Sequence, residues 1–355
     1  MNDRVLDATV LIATYNRATL LDATLQSIAE LRVRTGRSWE VIIVDNNSVD
    51  DTRAVVERHA RDFPVPLRYL HEPRQGRSSA LNTGIRAASG SIIAMTDDDV
   101  RVEEGWLEAA CDALLVRRAH DSSIGYAGGP VDPIWEVPPP RWLDLTRGDL
   151  WGTIAIQDHG FNEFVYENAR KVPLGANIAV HRALFAEVGG FLADLGRNGG
   201  KTVLGQEVPE WLMRARAAGF HGLYLPAMRV RHHVPAARLT RQYFRRWWFG
   251  KGVSRSSLDL VQPVTELGVD LRETPHVMGV PRYMFGSAAR DLVGWARARA
   301  AGRKTDAFRH EMMLAYFAGY FRSRHRERGS RRSDIFSSVV SGPRKPSAPA
   351  GDRLA

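Results

Sequence analysis

Strand-like runs alternating with stretches of helical periodicity fill the first part of the chain, and this alternation constrains its fold more than any other feature. Thr9-Val10-Leu11-Ile12-Ala13, Glu40-Val41-Ile42-Ile43-Val44 and Ser91-Ile92-Ile93-Ala94-Met95 have the length and continuity of strands covered on both faces, and Leu67-Arg68-Tyr69-Leu70 reads as another. After the first run, Leu20, Leu21, Leu25, Ile28 and Leu31 recur at helical spacing, and a further helix is expected from Ala80 to Ala88. Short connections between such elements predict an α/β chain built on a mostly parallel, doubly wound sheet with helices on both faces. Sheets of this kind bind ligands at the carboxyl ends of their strands. All four runs end there in a polar residue: Thr14, Asp45, His71 and Asp97.

The rest of the chain is patterned differently. Pro138-Pro139-Pro140-Arg141-Trp142 and Trp151 mark a loop-rich middle segment, and amphipathic, arginine-rich helical patterns take over beyond about residue 255. The expected division is an α/β unit over 1–250, a basic helical region over 251–328 and a disordered tail over 329–355. The formal charge of +9 suits acidic partners such as phosphates, anionic lipid surfaces or nucleic acid. No helix-turn-helix, zinc-ligand or RNA-binding signature is present, which argues against nucleic acid. The single cysteine, Cys111, sits in an apolar stretch, reads as a small core residue, and allows no intrachain disulfide. Without a signal-peptide pattern or a long apolar span, the expected location is cytoplasmic, with peripheral attachment at the inner face of the cell membrane left open.

Three aspartates, Asp97, Asp98 and Asp99, follow an apolar strand directly. Adjacent carboxylates repel unless a cation neutralises them, and Mg²⁺ or Mn²⁺ prefers such oxygens together with phosphate. An acidic helix start is the plain alternative. Asp45 could accept hydrogen bonds from a base or ribose, or could close an Asx-turn in Asp-Asn-Asn-Ser. Gln75-Gly76-Arg77-Ser78-Ser79 could bring backbone N–H groups and Arg77 toward a phosphate, or could be an ordinary capped helix start.

In order along the chain, Thr-Tyr-Asn-Arg, Val-Asp-Asn-Asn-Ser-x-Asp, Gly-Arg-Ser-x-Ala-x-Asn and Thr-Asp-Asp-Asp resemble the family 2 glycosyltransferases of the GT-A fold. The resemblance continues through Gly175-Ala176-Asn177 and Val188-Gly189-Gly190-Phe191 to Arg231-His232-His233, and so covers residues 8 to about 250. It implies a Rossmann-like GT-A domain with a C-terminal helical extension, and an inverting enzyme that uses a nucleoside-diphosphate sugar and a divalent metal. Thr14, Tyr15, Arg17, Asp45, Gly76, Arg77 and Asn82 would then serve the nucleotide sugar, together with Asp97 and Asp98. Asp97, Asp99 and His232 would serve the metal.

The base is where the sequence departs from that family, whose usual Gly-Glu-Asp is replaced by Gly205-Gln206-Glu207-Val208-Pro209-Glu210. Pro209 suits the first helical position, which would leave Glu207 in the loop facing the site and Glu210 on the helix. Glu207 is the preferred base and Glu210 the alternative. Trp142, Asn177 and Trp211 are candidates for the acceptor side, with core packing the competing role for each tryptophan. The acceptor itself would be a saccharide, a lipid-linked molecule or a small molecule. Leu239, Tyr243, Phe244, Trp247 and Trp248 share a helical face interleaved with arginines, as do Phe308, Met312 and Tyr316 ahead of Arg322 and Arg324. Such faces either meet an anionic membrane surface or pack inward. A non-catalytic nucleotide-sugar-binding relative is the remaining alternative.

Overall fold

The computed structural model describes residues 5–166, 171–193, 205–265 and 269–329; most of the expected tail lies outside them. Strands β1 (Leu6–Thr14), β2 (Trp39–Asp45), β3 (Leu67–His71) and β4 (Gly90–Asp97) are parallel, joined by helices α1 (Ala18–Ala29), α2 (Thr52–His59) and α3 (Arg77–Ala87). Thr14 pairs with Asp45, Ala13 with Asp97, and Asp45 with His71, so the four polar strand ends line one edge. β1, β2 and β4 are buried on both faces, whereas β3 at the sheet edge is half-buried: in β1, Val10 and Ile12 face one apolar cluster with Leu21 and Leu25, while Leu11 faces another with Leu81.

Beyond β4 come β5 (Val100–Val102), α4 (Trp106–Cys111), a π-helical stretch (Asp112–Arg117), and α5 (Arg118–His120). Cys111 is buried there, and burial pushes its thiol up to about 12, as befits a packing residue. The chain continues through β6 (Ile124–Gly128), β7 (Val131–Trp135), β8 (Phe164–Val165), β9 (Asn177–His181), α6 (Ala183–Val188), α7 (Glu207–Ala217), β10 (His221–Tyr224) and β11 (Val230–Val234). The main sheet has eight strands in the order β3-β2-β1-β4-β9-β6-β10-β8, with β9 antiparallel to both β4 and β6. A second sheet, β5-β11-β7, pairs His232 with Val100, the residue next to the aspartate triplet.

Helix α8 (Arg241–Val261), the hairpin β12 (His276–Val277) and β13 (Val280–Pro281), and helices α9 (Arg282–Ala300) and α10 (Lys304–Gly329) complete the described chain. α8 runs unbroken across residue 250, where the sequence alone placed a boundary. Its apolar face packs inward: Phe244, Phe308 and Met312 are fully buried with Leu239, Leu143 and Ile154. Trp248 donates its Nε1–H to Thr153 Oγ1 at 3.1 Å. At about 2–3 kcal/mol for each large apolar side chain removed from water, this cluster fastens the helices to the middle segment. The α8 and α10 faces considered for a membrane are thus core faces.

Candidate active site at the carboxyl edge of the sheet

A cleft of about 380 Å³ opens over the ends of β1, β2 and β4, lined by Thr14, Tyr15, Arg17, Asn46, Gln75, Arg77, Asp97 and Asp98. Two turns shape its rim. Asn16 and Asn47 adopt φ of 52° and 68°, a left-handed conformation that asparagine tolerates. Asn16 also stitches the loops after β1 and β2 together: its N–H donates to Ser48 Oγ and its Oδ1 accepts from the Val49 N–H, both at 2.8 Å. Gly76, at φ 141°, brings the chain into α3 and donates its N–H to Asn46 Oδ1 at 2.6 Å. That N–H is therefore used internally and is not directed at a phosphate. The helix starts at Arg77, earlier than the periodicity suggested, because the polar Arg-Ser-Ser turn belongs to it.

Arginines neutralise the triplet. Two carboxylates about 4 Å apart repel by roughly 4 kcal/mol at an effective dielectric near 20, so cationic partners are needed. Arg17 Nη1 donates to Asp98 Oδ1 at 2.9 Å and to Asp99 Oδ2 at 2.6 Å, while Thr14 Oγ1 donates to Asp98 Oδ2 at 2.9 Å. Burial nonetheless pushes the Asp98 carboxyl up to about 6, against the pull of Arg17. Asp99 Oδ1 is buried without a hydrogen-bond partner and lies 3.4 Å from His232 Nε2. The His233 N–H donates to the Asp99 carbonyl at 2.8 Å, so the β5–β11 pairing itself delivers His232 to this carboxylate. Burial holds His232 below the ordinary imidazole range, toward its neutral form. Arg238 approaches from the same side, 3.7 Å from Asp99 Oδ2 and 3.3 Å from His232 Nε2. No sequence pattern singled out Arg238.

A second arginine links the triplet to α7. Arg77 Nη2 donates to Asp97 Oδ1 at 2.7 Å and to the Gly175 carbonyl at 3.0 Å, and Nη1 donates to Glu207 Oε1 at 3.1 Å. Glu207 Oε2 is buried with no hydrogen-bond partner. Glu207 is the first residue of α7 rather than a loop residue, and Pro209 stands in its first turn. Glu210 is committed elsewhere: Arg214 grips both of its oxygens at 2.6 and 2.8 Å and also bonds the carbonyls of Val188 and Gly190.

Residues 9–167 match the sequence profile of Glycosyl transferase family 2. Over this segment, a little under half of its length, the chain is similar to the family 2 glycosyltransferases. Among curated relatives, it is 26% identical over 257 residues to the glucosyl-dolichyl phosphate glucuronosyltransferase of Haloferax volcanii, covering 72% of this chain and 78% of that one. It is also 26% identical over 259 residues to the succinoglycan biosynthesis protein ExoM of Rhizobium meliloti, covering 73% and 77%. The fold is that of the mannosyltransferase PcManGT from Pyrobaculum calidifontis, solved with GDP-Man and Mn²⁺, at a TM-score of 0.56, 19% identity, and coverage of 90% and 88%. The expected GT-A fold, its C-terminal helices and glycosyltransferase activity therefore hold.

Several residues expected at the site of this glycosyltransferase have structural work instead. Asp45 accepts from the Ser48 N–H at 2.9 Å and from the Tyr69 hydroxyl at 2.7 Å, the Asx-turn alternative. Asn82 exchanges both amide groups with the backbone of Phe191, at 2.7 and 2.9 Å. Trp211 is fully buried and donates to the Gly189 carbonyl, and Trp142 packs edge-on to Phe244 and Phe308 beneath Arg241. Asp97, Asp99 and His232 do not converge as a three-ligand metal set: no group of three such side chains does among the described residues. Arg77 holds the Asp97 oxygen away toward Glu207, while Asp99 faces His232. Asn46 and Gln75 line the cleft without having been singled out, although Asn46 lies inside the Asp-Asn-Asn-Ser motif.

Asn177 is likewise a core bracket. It accepts from Trp106 Nε1–H at 2.8 Å and donates to the carbonyls of Pro130 and Met228 at 3.0 and 2.7 Å. Asn177→Ala would strand two buried polar groups, Trp106 Nε1–H and the Met228 carbonyl, since Pro130 keeps the Val230 N–H, and is expected to lower stability by about 2 kcal/mol or more, read as a shifted urea midpoint. A change under half that size would show that the bracket is not needed.

Proposed function

We propose that this enzyme is an inverting glycosyltransferase that moves a sugar from a nucleoside-diphosphate sugar to an acceptor hydroxyl, with Glu207 as base. The observation that carries this reading is the Arg77 bridge, which sets Glu207 beside the donor-side Asp97 although the two are far apart in sequence. One Glu207 oxygen is anchored by that bridge and the other is free to take a proton. In the reaction, the acceptor oxygen attacks the anomeric carbon as the bond to the diphosphate breaks on the opposite face. The hydroxyl proton passes to Glu207 Oε2, and the nucleoside diphosphate leaves with the electron pair. Thr14, Tyr15, Arg17, Asn46 and Gln75 would line the nucleotide cleft, and Arg17 and Arg77 would offer positive charge to the diphosphate.

The residues present fit a divalent cation at Asp99 and His232. Asp99 Oδ1 is a buried carboxylate oxygen without a partner, and the neutral imidazole facing it offers a nitrogen lone pair. A bound Mg²⁺ or Mn²⁺ there would offset charge on the departing diphosphate. The name of the Haloferax relative places a dolichyl phosphate in its substrate, which supports a lipid-linked acceptor alongside a plain saccharide.

A thermal-shift screen of UDP-, GDP- and dTDP-sugars with Mn²⁺, followed by nucleotide release, tests the reading. One donor at about a hundred times its dissociation constant should add roughly 2.7 kcal/mol, a rise of several degrees. EDTA should cancel the rise and the turnover together. If no donor shifted the melt and none were turned over, the proposal would be wrong.

A further inference from the structure

Helix α9 presents a strip of apolar side chains to solvent. Phe285, Leu292 and Val293 are 38%, 54% and 48% exposed, and Ala289 and Ala296 are exposed between them. Their spacing puts them on one side of the helix, away from Met284 and Ala298, which are buried. Arg290 and Arg297 flank this strip on one side and Arg299 on the other, all exposed. Tyr283, 53% exposed, stands near its start, and the turn just before the helix exposes Met278 at 63%. The only acidic residue of α9, Asp291, lies off the strip, 2.7 Å from His310 Nδ1. No helix among the described residues is long and apolar enough to cross a membrane.

We infer that α9 is an interfacial helix, and that its exposed strip seats the enzyme on a lipid surface bearing anionic headgroups. A convex apolar strip edged by arginines on both sides matches such a surface, where aliphatic side chains enter the acyl boundary and guanidinium groups reach phosphates. A second copy of the chain is the poorer occupant. Two such faces brought together would oppose arginine to arginine, with no carboxylate on the strip to pair them. This inference goes beyond the proposed reaction, since the strip is separate from the cleft and needs neither donor nor base.

Flotation of the full chain with vesicles of phosphatidylcholine, with and without phosphatidylglycerol, tests it. The wild type should float with the anionic vesicles and only weakly with the neutral ones. Leu292→Asp with Val293→Asp should abolish flotation without moving the melting temperature, because both side chains already face water. Arg290→Gln and Arg297→Gln should each weaken it about fivefold at low salt. Flotation unchanged in the double aspartate variant, or absent in the wild type, would overturn the inference. So would light scattering that showed a dimer which the aspartates dissociate, since the strip would then be a protein interface. Donor turnover in solution should be the same in all variants, which keeps this result separable from the reaction.

Discussion

Glu207→Gln is expected to lower kcat by about a hundredfold to ten-thousandfold while leaving donor affinity nearly unchanged. Glutamine can still accept the Arg77 hydrogen bond through its amide oxygen, so the bridge to Asp97 should persist. What it cannot do is carry away a proton. Glu210→Gln provides the contrast. That change weakens the grip of Arg214, which fastens α7 to the Val188–Gly190 turn, and it should lower the melting temperature while folded protein keeps its turnover. Single-turnover product formation, measured with donor saturating, separates the two. Full activity in Glu207→Gln would remove Glu207 from the base role.

Asp99→Asn should be the most damaging change on the donor side, on the order of a thousandfold in kcat/KM, because a metal contribution of several kcal/mol would be lost. Mn²⁺ titration followed by electron paramagnetic resonance reads the cause directly: affinity in the presence of donor should fall with the activity. The substitution is nearly isosteric, so folding should survive it. Of the two carboxylates it holds, Arg17 would then keep only that of Asp98. Unchanged Mn²⁺ affinity would mean that Asp99 is not a ligand.

The parallel half of the sheet was legible because a strand buried on both faces has little choice but to be apolar, and β1, β2 and β4 are. Their polar ends were legible for the complementary reason, that a buried strand has no other place for Thr14, Asp45 or Asp97. The triplet reads in the sequence as a place for cations, and its nearest ones in the structure are arginines within the chain. The insertion of β9 between β4 and β6 left no local trace, since pairing partners far apart in sequence are chosen by tertiary fit. Trp142, Trp211 and Asn177 could be read from the sequence either as acceptor-side or as packing residues, because side-chain type does not say whether a group meets solvent or a neighbour; the structure gives all three packing partners. Helices α8 and α9 make the same point. Both pair apolar residues with arginines, and only packing shows that α8 buries its apolar side while α9 does not.

The arginines around the triplet have a consequence for how the enzyme lives between turnovers. Arg17, Arg77 and Arg238 set three positive charges against Asp97, Asp98, Asp99 and Glu207. The protein thus brings its own counter-ions, and its fold does not wait on a metal in the way that a zinc finger does. On the proposed reading, a cation arriving at Asp99 would compete with guanidinium groups already in place. It would compete best when a diphosphate arrived with it, giving those same arginines a new anion to hold. Metal and donor would then enter as one cargo and leave as one, and the resting enzyme would hold neither.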